Sequence, residues 1–514
     1  MRTDLAGGGG ASLTLSAGGR ERLTERVRRA SELSPRRGRP VLVSVTEPVD
    51  PALDASAAVL AARSPGERCL CFEHPDRDRF ALAGLGEAAW VGGSGREESP
   101  GAAGRDPRGR TRFTEASREW RAITDGALVD DLGSDPSAPA GAGPVLIGGF
   151  AFAADGGATP EWSSLGSARL ALPEVSLVRR GGEARLTVNV VVRPKRQVAS
   201  GTTPKDEEGD EGGVETALEA VERRVGSLRP ARMPLLDPDP AVAAQVGGAA
   251  PPEHYASAVQ RAVERIEAGE IEKVVLAREV RVHAAQPFDA AAVYDGLRSA
   301  FPACFCYLAA SPEATFVGAS PELLVRRDGQ RAQTVALAGT RRRSADPAVD
   351  RLLAEQLLQS PKDRAEQAIV ARRIERALRP VSVWVATADE PAVVKVQNVQ
   401  HLASPIRAQL AEPVPCLELA GLLHPTPAVG GEPAERALPM IPALEGLDRG
   451  WYAGPLGWTD PAEDGELCVA LRCALLRGNV AHLYAGEGIV RDSVASEELE
   501  ANEAKLQALL PLLT

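Results

Sequence analysis

No run of 18 apolar residues occurs in this 514-residue chain, so a membrane-spanning helix is not expected. The amino terminus, Met1-Arg2-Thr3-Asp4 followed by Gly7 to Gly10, lacks the apolar core of a secretory leader, and a cytoplasmic location is the expectation. Seven cysteines (69, 71, 304, 306, 416, 468 and 473) contain no CxxC pair and none at zinc-site spacing from a histidine. Cys304 and Cys306 alternate along one predicted strand face and read as buried, reduced thiols. A Gly-rich dinucleotide fingerprint is missing. Excess positive charge is missing too. With 59 Lys and Arg against 70 Asp and Glu, the formal charge is −11, which argues against nucleic acid or an anionic membrane as partner. If such a chain binds an anionic metabolite, it must build a local cationic pocket against its own field.

What is present is ordinary for a globular protein: 44% hydrophobic and 25% charged residues, in a chain long enough to bury a large core. Residues 1–35 read as a flexible or helical extension. Residues 36–250 form an N-terminal part with disordered insertions at 92–110, 134–143 and 196–213. The last of these is acidic and nearly free of apolar side chains, so burial cannot offset the entropy of ordering it. Residues 230–252, with six prolines, read as a linker into a catalytic region over 251–514. In that region the apolar spacing predicts helices over 253–268, 361–378 and 497–513 and a strand over 273–280. Ser360 is a natural N-cap for the second helix and Pro361 suits its first turn. Strands and helices alternate without a strict βαβ rhythm, so the fold class is α+β.

Several side chains stand out by position. Glu366 lies three and four residues before Ile369 and Val370, on the packed side of its helix, and needs a cation there. A salt bridge to Lys362 or Arg373 and a metal are the two readings. Lys273 opens a strand, either as an exposed edge lysine or as a group with a lowered pKa beside a cation such as Arg278. Glu322 precedes an apolar strand. Arg472, in Val469-Ala-Leu-Arg-Cys-Ala-Leu, reads as a lone charge within an apolar strand, which calls for a partner or ligand. Glu498 and Lys505 share a helical face.

Six short runs stand in order along the second half of the chain: Lys273-Val-Val-Leu-Ala-Arg, Gly318-Ala-Ser-Pro-Glu-Leu-Leu, Leu337-Ala-Gly-Thr-Arg, Ser360-Pro-Lys-Asp-Arg-Ala-Glu, His424-Pro-Thr-Pro-Ala-Val-Gly-Gly and Tyr484-Ala-Gly-Glu-Gly-Ile-Val. Together they resemble the isochorismate synthases of the chorismate-utilising enzyme family. The resemblance implies one large domain, a two-sheet core with helices packed outside, and chorismate as substrate. It implies Lys273 as general base and Glu322 as the acid that protonates the departing C4 hydroxyl. It implies Glu366 and Glu498 as Mg²⁺ ligands. It places Arg472, Lys505 and Tyr484 about the enolpyruvyl carboxylate and His401 beside the ring. The backbone at Gly339, Thr340, Gly486 and Gly488 closes on the carboxylates.

One position departs from the family pattern. A second glutamate is usual three residues after Glu498, and Ala501 stands there instead. Glu500 is about 100° around the helix and cannot simply substitute. Glu487, where the family usually has alanine, is either a replacement or a solvent-facing turn residue.

Within the family, aminodeoxychorismate synthases carry a nucleophilic lysine where Ala338 stands. Anthranilate synthases usually have glutamine at Lys273 and use a glutaminase subunit, which is not expected here. Salicylate synthases replace the His424 run. What remains is Mg²⁺-dependent isomerisation of chorismate to isochorismate. The long N-terminal half and the Gly148-Gly-Phe-Ala-Phe run favour the menaquinone type. A monomer or weak dimer is expected. The alternatives are a salicylate synthase, or a chorismate-binding member with an impaired metal site.

Overall fold

The strand Lys273–His283 shows how this sequence builds its core. Val274, Leu276, Val280 and Val282 occupy one face, while Lys273, Val275 and Ala277 occupy the other. The computed structural model describes residues 12–92, 109–133, 135–194, 211–236, 243–396 and 399–514. Most of 92–110 and 196–213, two of the expected insertions, therefore lies outside the described residues.

Among the described residues, two antiparallel sheets form the body, as the α+β reading requires. The first has 12 strands. Its order runs from Val41–Pro48 through Glu183–Val192, Val175–Arg180, Phe80–Leu85, Cys69–His74, Phe305–Ala310, Thr315–Ser320, Cys473–Arg477, Val480–Ile489 and Lys273–His283 to Gly431–Glu432, with Gln245–Gly248 also on Lys273–His283. The second has 10 strands and runs from Ser382–Thr387 through Val399–Leu410, Arg331–Arg342, Leu323–Asp328, Gly465–Val469, Pro455–Thr459, Leu146–Phe150 and Ala168–Leu172 to Ala89–Val91, with Ala392–Lys395 beside Val399–Leu410. Each sheet mixes strands from both halves of the chain.

The main core lies between the sheets. Phe80 of the first stacks on Trp458 of the second at 6.2 Å between ring centroids. A second cluster on the outer face of the first sheet is covered by the helices Ala17–Arg37, Ala55–Ala62 and Ala290–Ala300. All seven cysteines are free and buried.

Local expectations are met closely at some points and altered at others. The Pro361–Leu378 helix begins where its caps place it, with Ser360 Oγ accepting from the Asp363 N–H at 3.3 Å. The amino-terminal extension contains the helix Ala17–Arg37, whose Leu23, Val27 and Ala30 are buried. Residues 135–143 are ordered turns rather than a loose insertion, because Arg185 reaches Asp135 and Ser137 at 3.2 and 2.8 Å. The linker over 230–252 carries the strand Gln245–Gly248. The last helix ends at Leu506, followed by a 3₁₀ turn at Leu510–Leu512. No helix among the described residues is long and apolar enough to cross a membrane.

Candidate active site

Among the points where the chain passes between the two sheets, two deliver a charged side chain to one cavity. Thr315–Ser320 lies in the first sheet and Leu323–Asp328 in the second, with Glu322 between them. Gly465–Val469 lies in the second and Cys473–Arg477 in the first, with Arg472 between. The crossings are tied to each other's sheets: Val469 N–H donates to Glu322 O and Ala319 N–H to Arg472 O, both at 3.0 Å. Arg472 is therefore not a charge within a strand, as its apolar neighbours suggested. It is a corner residue with φ 48°. The cavity measures about 220 Å³.

Lys273 is wholly buried, not an exposed edge residue, and its Nζ stands 2.8 Å from Glu366 Oε1. No Lys273 N–H is aligned on an acceptor, so this is a charge contact rather than a formed hydrogen bond. Gly488 makes room for it. A Cβ there would meet Glu366 Oε1 at 2.1 Å and Lys273 Cε at 2.8 Å. The expected cationic neighbour is absent from this side: Arg278 lines a different cavity and pairs loosely with Glu503 at 3.7 Å. Glu366 thus takes Lys273 as its cation, not Lys362 or Arg373.

Glu322 is 3% exposed. Burial drives its pKa up to about 8, against the opposing pull of Lys273, Lys505 and Arg472. At neutral pH it holds its proton and can give it away.

The cationic wall is built around His401. Arg472 Nη2 donates to His401 Nε2 at 3.3 Å, and Nδ1 faces Gly339 O at 3.2 Å and Thr340 Oγ1 at 3.1 Å. Accepting at Nε2 assigns the ring proton to Nδ1. Burial, then Arg472 and Lys505, push the His401 pKa down to about 3, so the ring is neutral. Gly339, at φ 72°, sits at an irregularity in strand register between Ala338 and Thr340 that Asp363 packs against. Tyr484 stacks on Tyr452 at 5.5 Å, and both line the cavity. Arg472 Nε is buried without a hydrogen-bond partner, so its guanidinium keeps donor capacity for a ligand.

Lys505 owes its place to a break in strand pairing. Val480–Ile489 pairs with Lys273–His283 through Ile489, but its pairing with Cys473–Arg477 ends at Tyr484. The helix Ala495–Leu506 covers the open edge. Asn502 Nδ2 donates to Ala485 O and Lys505 Nζ to Gly486 O, each at 2.8 Å. Lys505 also pairs with Glu487 Oε2 at 2.7 Å. Glu487 is a buried strand residue, not a solvent-facing turn.

Glu366 and Glu498 both line the cavity, from two helices, with Ala501 beside them. Each carboxylate has a lysine neighbour, Lys273 for Glu366 and Lys362 for Glu498, with Lys362 Nζ donating to Glu498 Oε1 at 2.8 Å. Burial opposes the Lys362 charge, but the Glu498 carboxylate outweighs it and raises the lysine pKa. Among the described residues no three His, Cys, Asp or Glu groups cluster as a ready cage for an ion. Two carboxylates fit a hard cation such as Mg²⁺, which takes one or two from the protein and keeps waters.

Sequence reasoning missed one supporting pair. Ala277 N–H, on the edge of the Lys273 strand where pairing lapses, donates to Glu445 Oε1 at 2.6 Å. Arg449, paired with Glu445, donates to Val275 O at 2.9 Å and to Val429 O at 2.7 Å, in the His424 run. Its guanidinium also lies 4.3 Å from the Phe152 ring centroid. Both residues are fully buried, and a charged pair four apart on an apolar background was the signal available. Tyr452 was likewise missed.

The model of the chorismate binding enzyme family matches residues 26–514. A salicylate biosynthesis isochorismate synthase of Pseudomonas aeruginosa is 33% identical over 479 residues, 93% of this chain and 91% of that protein. An isochorismate synthase of Bacillus subtilis is 33% identical over 371 residues, 72% of this chain and 75% of its own length. Among solved structures, the menaquinone-specific isochorismate synthase of Escherichia coli superposes with a TM-score of 0.72 at 24% identity, covering 95% of this chain and 100% of that one. At that identity the likeness speaks for the fold.

Proposed function

Because the chain belongs to the chorismate-binding enzyme family, we propose that it is an isochorismate synthase that adds water at C2 of chorismate and expels the C4 hydroxyl. The observation that carries this reading is one cavity holding the buried amino group of Lys273 and a protonated carboxyl at Glu322. Lys273, in its neutral amine form, takes a proton from the attacking water as the water oxygen bonds to C2. The ring double bond shifts, the C4–O bond breaks, and Glu322 delivers its proton so that the hydroxyl leaves as water. One water enters and one leaves. Proton return from Lys273 to Glu322 through solvent resets the pair.

Arg472 and Lys505 supply the positive charge that a dianionic substrate requires. Gly339, Thr340, Gly486 and Gly488 let the backbone approach its carboxylates, and neutral His401 orients Arg472 while packing by the ring. Glu366 and Glu498 would hold Mg²⁺, which when bound supplies a hard positive charge to a substrate carboxylate. The finer reading also includes menaquinone biosynthesis, on the long N-terminal half and the Gly148 run, with no glutaminase subunit and a monomer or weak dimer.

Incubation of the protein with chorismate and Mg²⁺ tests the proposal. Chromatography should show chorismate and isochorismate approaching a fixed ratio from either side. Release of salicylate and pyruvate would transfer the reading to a salicylate synthase. No turnover, with chorismate still bound, would mark a weakened member of the family.

A further inference from the structure

Glu487 takes no part in the chemistry just described, yet it is a charged side chain, 5% exposed, in the wall of the same cavity. Its Oε2 is engaged by Lys505, while Oε1 is buried and accepts no hydrogen bond. A buried carboxylate oxygen without a donor is unfavourable, so the group is held in place for a ligand that brings one. Its electrostatic surroundings say what kind. Burial and the Glu498 carboxylate work against its charge while Lys505 supports it, and Glu487 and Glu498 line one cavity, so a positively charged ligand is what this wall favours.

Ala501 is three residues beyond Glu498, on the same helical face, and meets the cavity with only a methyl group. The helix that carries Glu498 therefore offers no second carboxylate, whereas the facing strand does. We infer that Glu487 is an outer-shell acceptor of the cation site, its free oxygen taking a hydrogen bond from a water of the bound Mg²⁺. This rests on the reading of Glu366 and Glu498 as Mg²⁺ ligands. An outer-shell role follows from two facts. No three acidic groups cluster closely enough to share an ion among the described residues, and Mg²⁺ retains several waters in protein sites.

The rival role for Glu487 is as a counter-charge to Lys505 alone. Titration of the substrate-free protein with Mn²⁺, followed by the electron paramagnetic resonance of the free ion, separates the two. Glu487→Gln should weaken Mn²⁺ binding by about 10–100-fold, the usual effect of losing an outer-shell partner. The double variant Glu487→Met/Lys505→Met should remain similarly weak, although it removes one charge of each sign. Glu487→Ala/Ala501→Glu, which moves the carboxylate to the helix, should recover most of the affinity. If the Met/Met variant binds Mn²⁺ as tightly as the wild type, Glu487 is only a counter-charge and the inference fails. If the wild type itself binds no Mn²⁺, the metal reading of Glu366 and Glu498 fails, and this one with it.

Discussion

Lys273 and Glu366 meet at 2.8 Å through the space that Gly488 leaves open. The strand Val480–Ile489 lies directly beside the Lys273 strand, with Gly488 opposite Val275. A side chain at 488 on this face must enter the ion pair itself.

Gly488→Ala should therefore damage the chemistry more than the fold. The added methyl group would force Glu366 and Lys273 apart, since the contacts it would make, 2.1 and 2.8 Å, are too short to hold. Overpacking of this kind costs about 1–3 kcal/mol of stability. Steady-state kinetics should show kcat reduced at least about tenfold, because misplacing a reacting group by an ångström is expensive. An unchanged kcat would show that the pair is free to move.

Lys273→Ala should bind chorismate but lose turnover by about 10²–10⁴-fold, the range of a general base. Binding can be followed by fluorescence or calorimetry in parallel with the rate. A variant that keeps most of its turnover would assign the base elsewhere.

Glu322 makes the reaction pH-dependent with a known sign. Its protonated form is the donor, so kcat/KM should fall as pH rises through about 8. The folded-state pKa is raised above the unfolded value, so its contribution to stability is full below the unfolded pKa of 4.5 and is lost as pH rises toward 8. Glu322→Gln removes that loss. The Tm of the variant relative to wild type should climb between pH 5 and 8 and then level off. A Tm difference independent of pH would contradict the raised pKa.

Glu445 and Arg449 replace a missing strand on the edge of the Lys273 strand. Arg449→Met leaves a buried carboxylate unpaired, and should cost about 3–5 kcal/mol in chemical denaturation. Glu445→Leu/Arg449→Met should cost less than the single change, because no charge is stranded. Both should lower kcat, since Val275 and Val429 lose a shared anchor.

Much of this was legible beforehand because it is local. Ser360 and Pro361 specify a helix start by capping alone, and the short apolar run Val274-Val-Leu-Ala after Lys273 reads as a buried strand. The site residues could be gathered only because their motifs resemble a family, since no spacing in the chain brings Glu322 near Lys505. What stayed hidden depends on how distant segments meet. Arg472 has apolar neighbours on both sides, and these belong to different sheets. Lys362 points at Glu498 rather than at Glu366, one turn along its own helix. Glu487 looks like a turn residue until the early end of a neighbouring strand exposes the edge that the last helix covers. Pairing lapses of this sort have no signature in the residues on either side.

The interleaving of early and late strands sets the order in which the protein can be made. Cys69–His74 needs Phe305–Ala310 at its side, and Lys273–His283 needs Val480–Ile489. On a ribosome these segments must wait, partly unpaired, until partner strands far downstream have been synthesised. Such non-local pairing is slow and leaves open strand edges to nascent neighbours. Truncation from the carboxyl end should yield aggregates held by chaperones rather than a smaller folded unit.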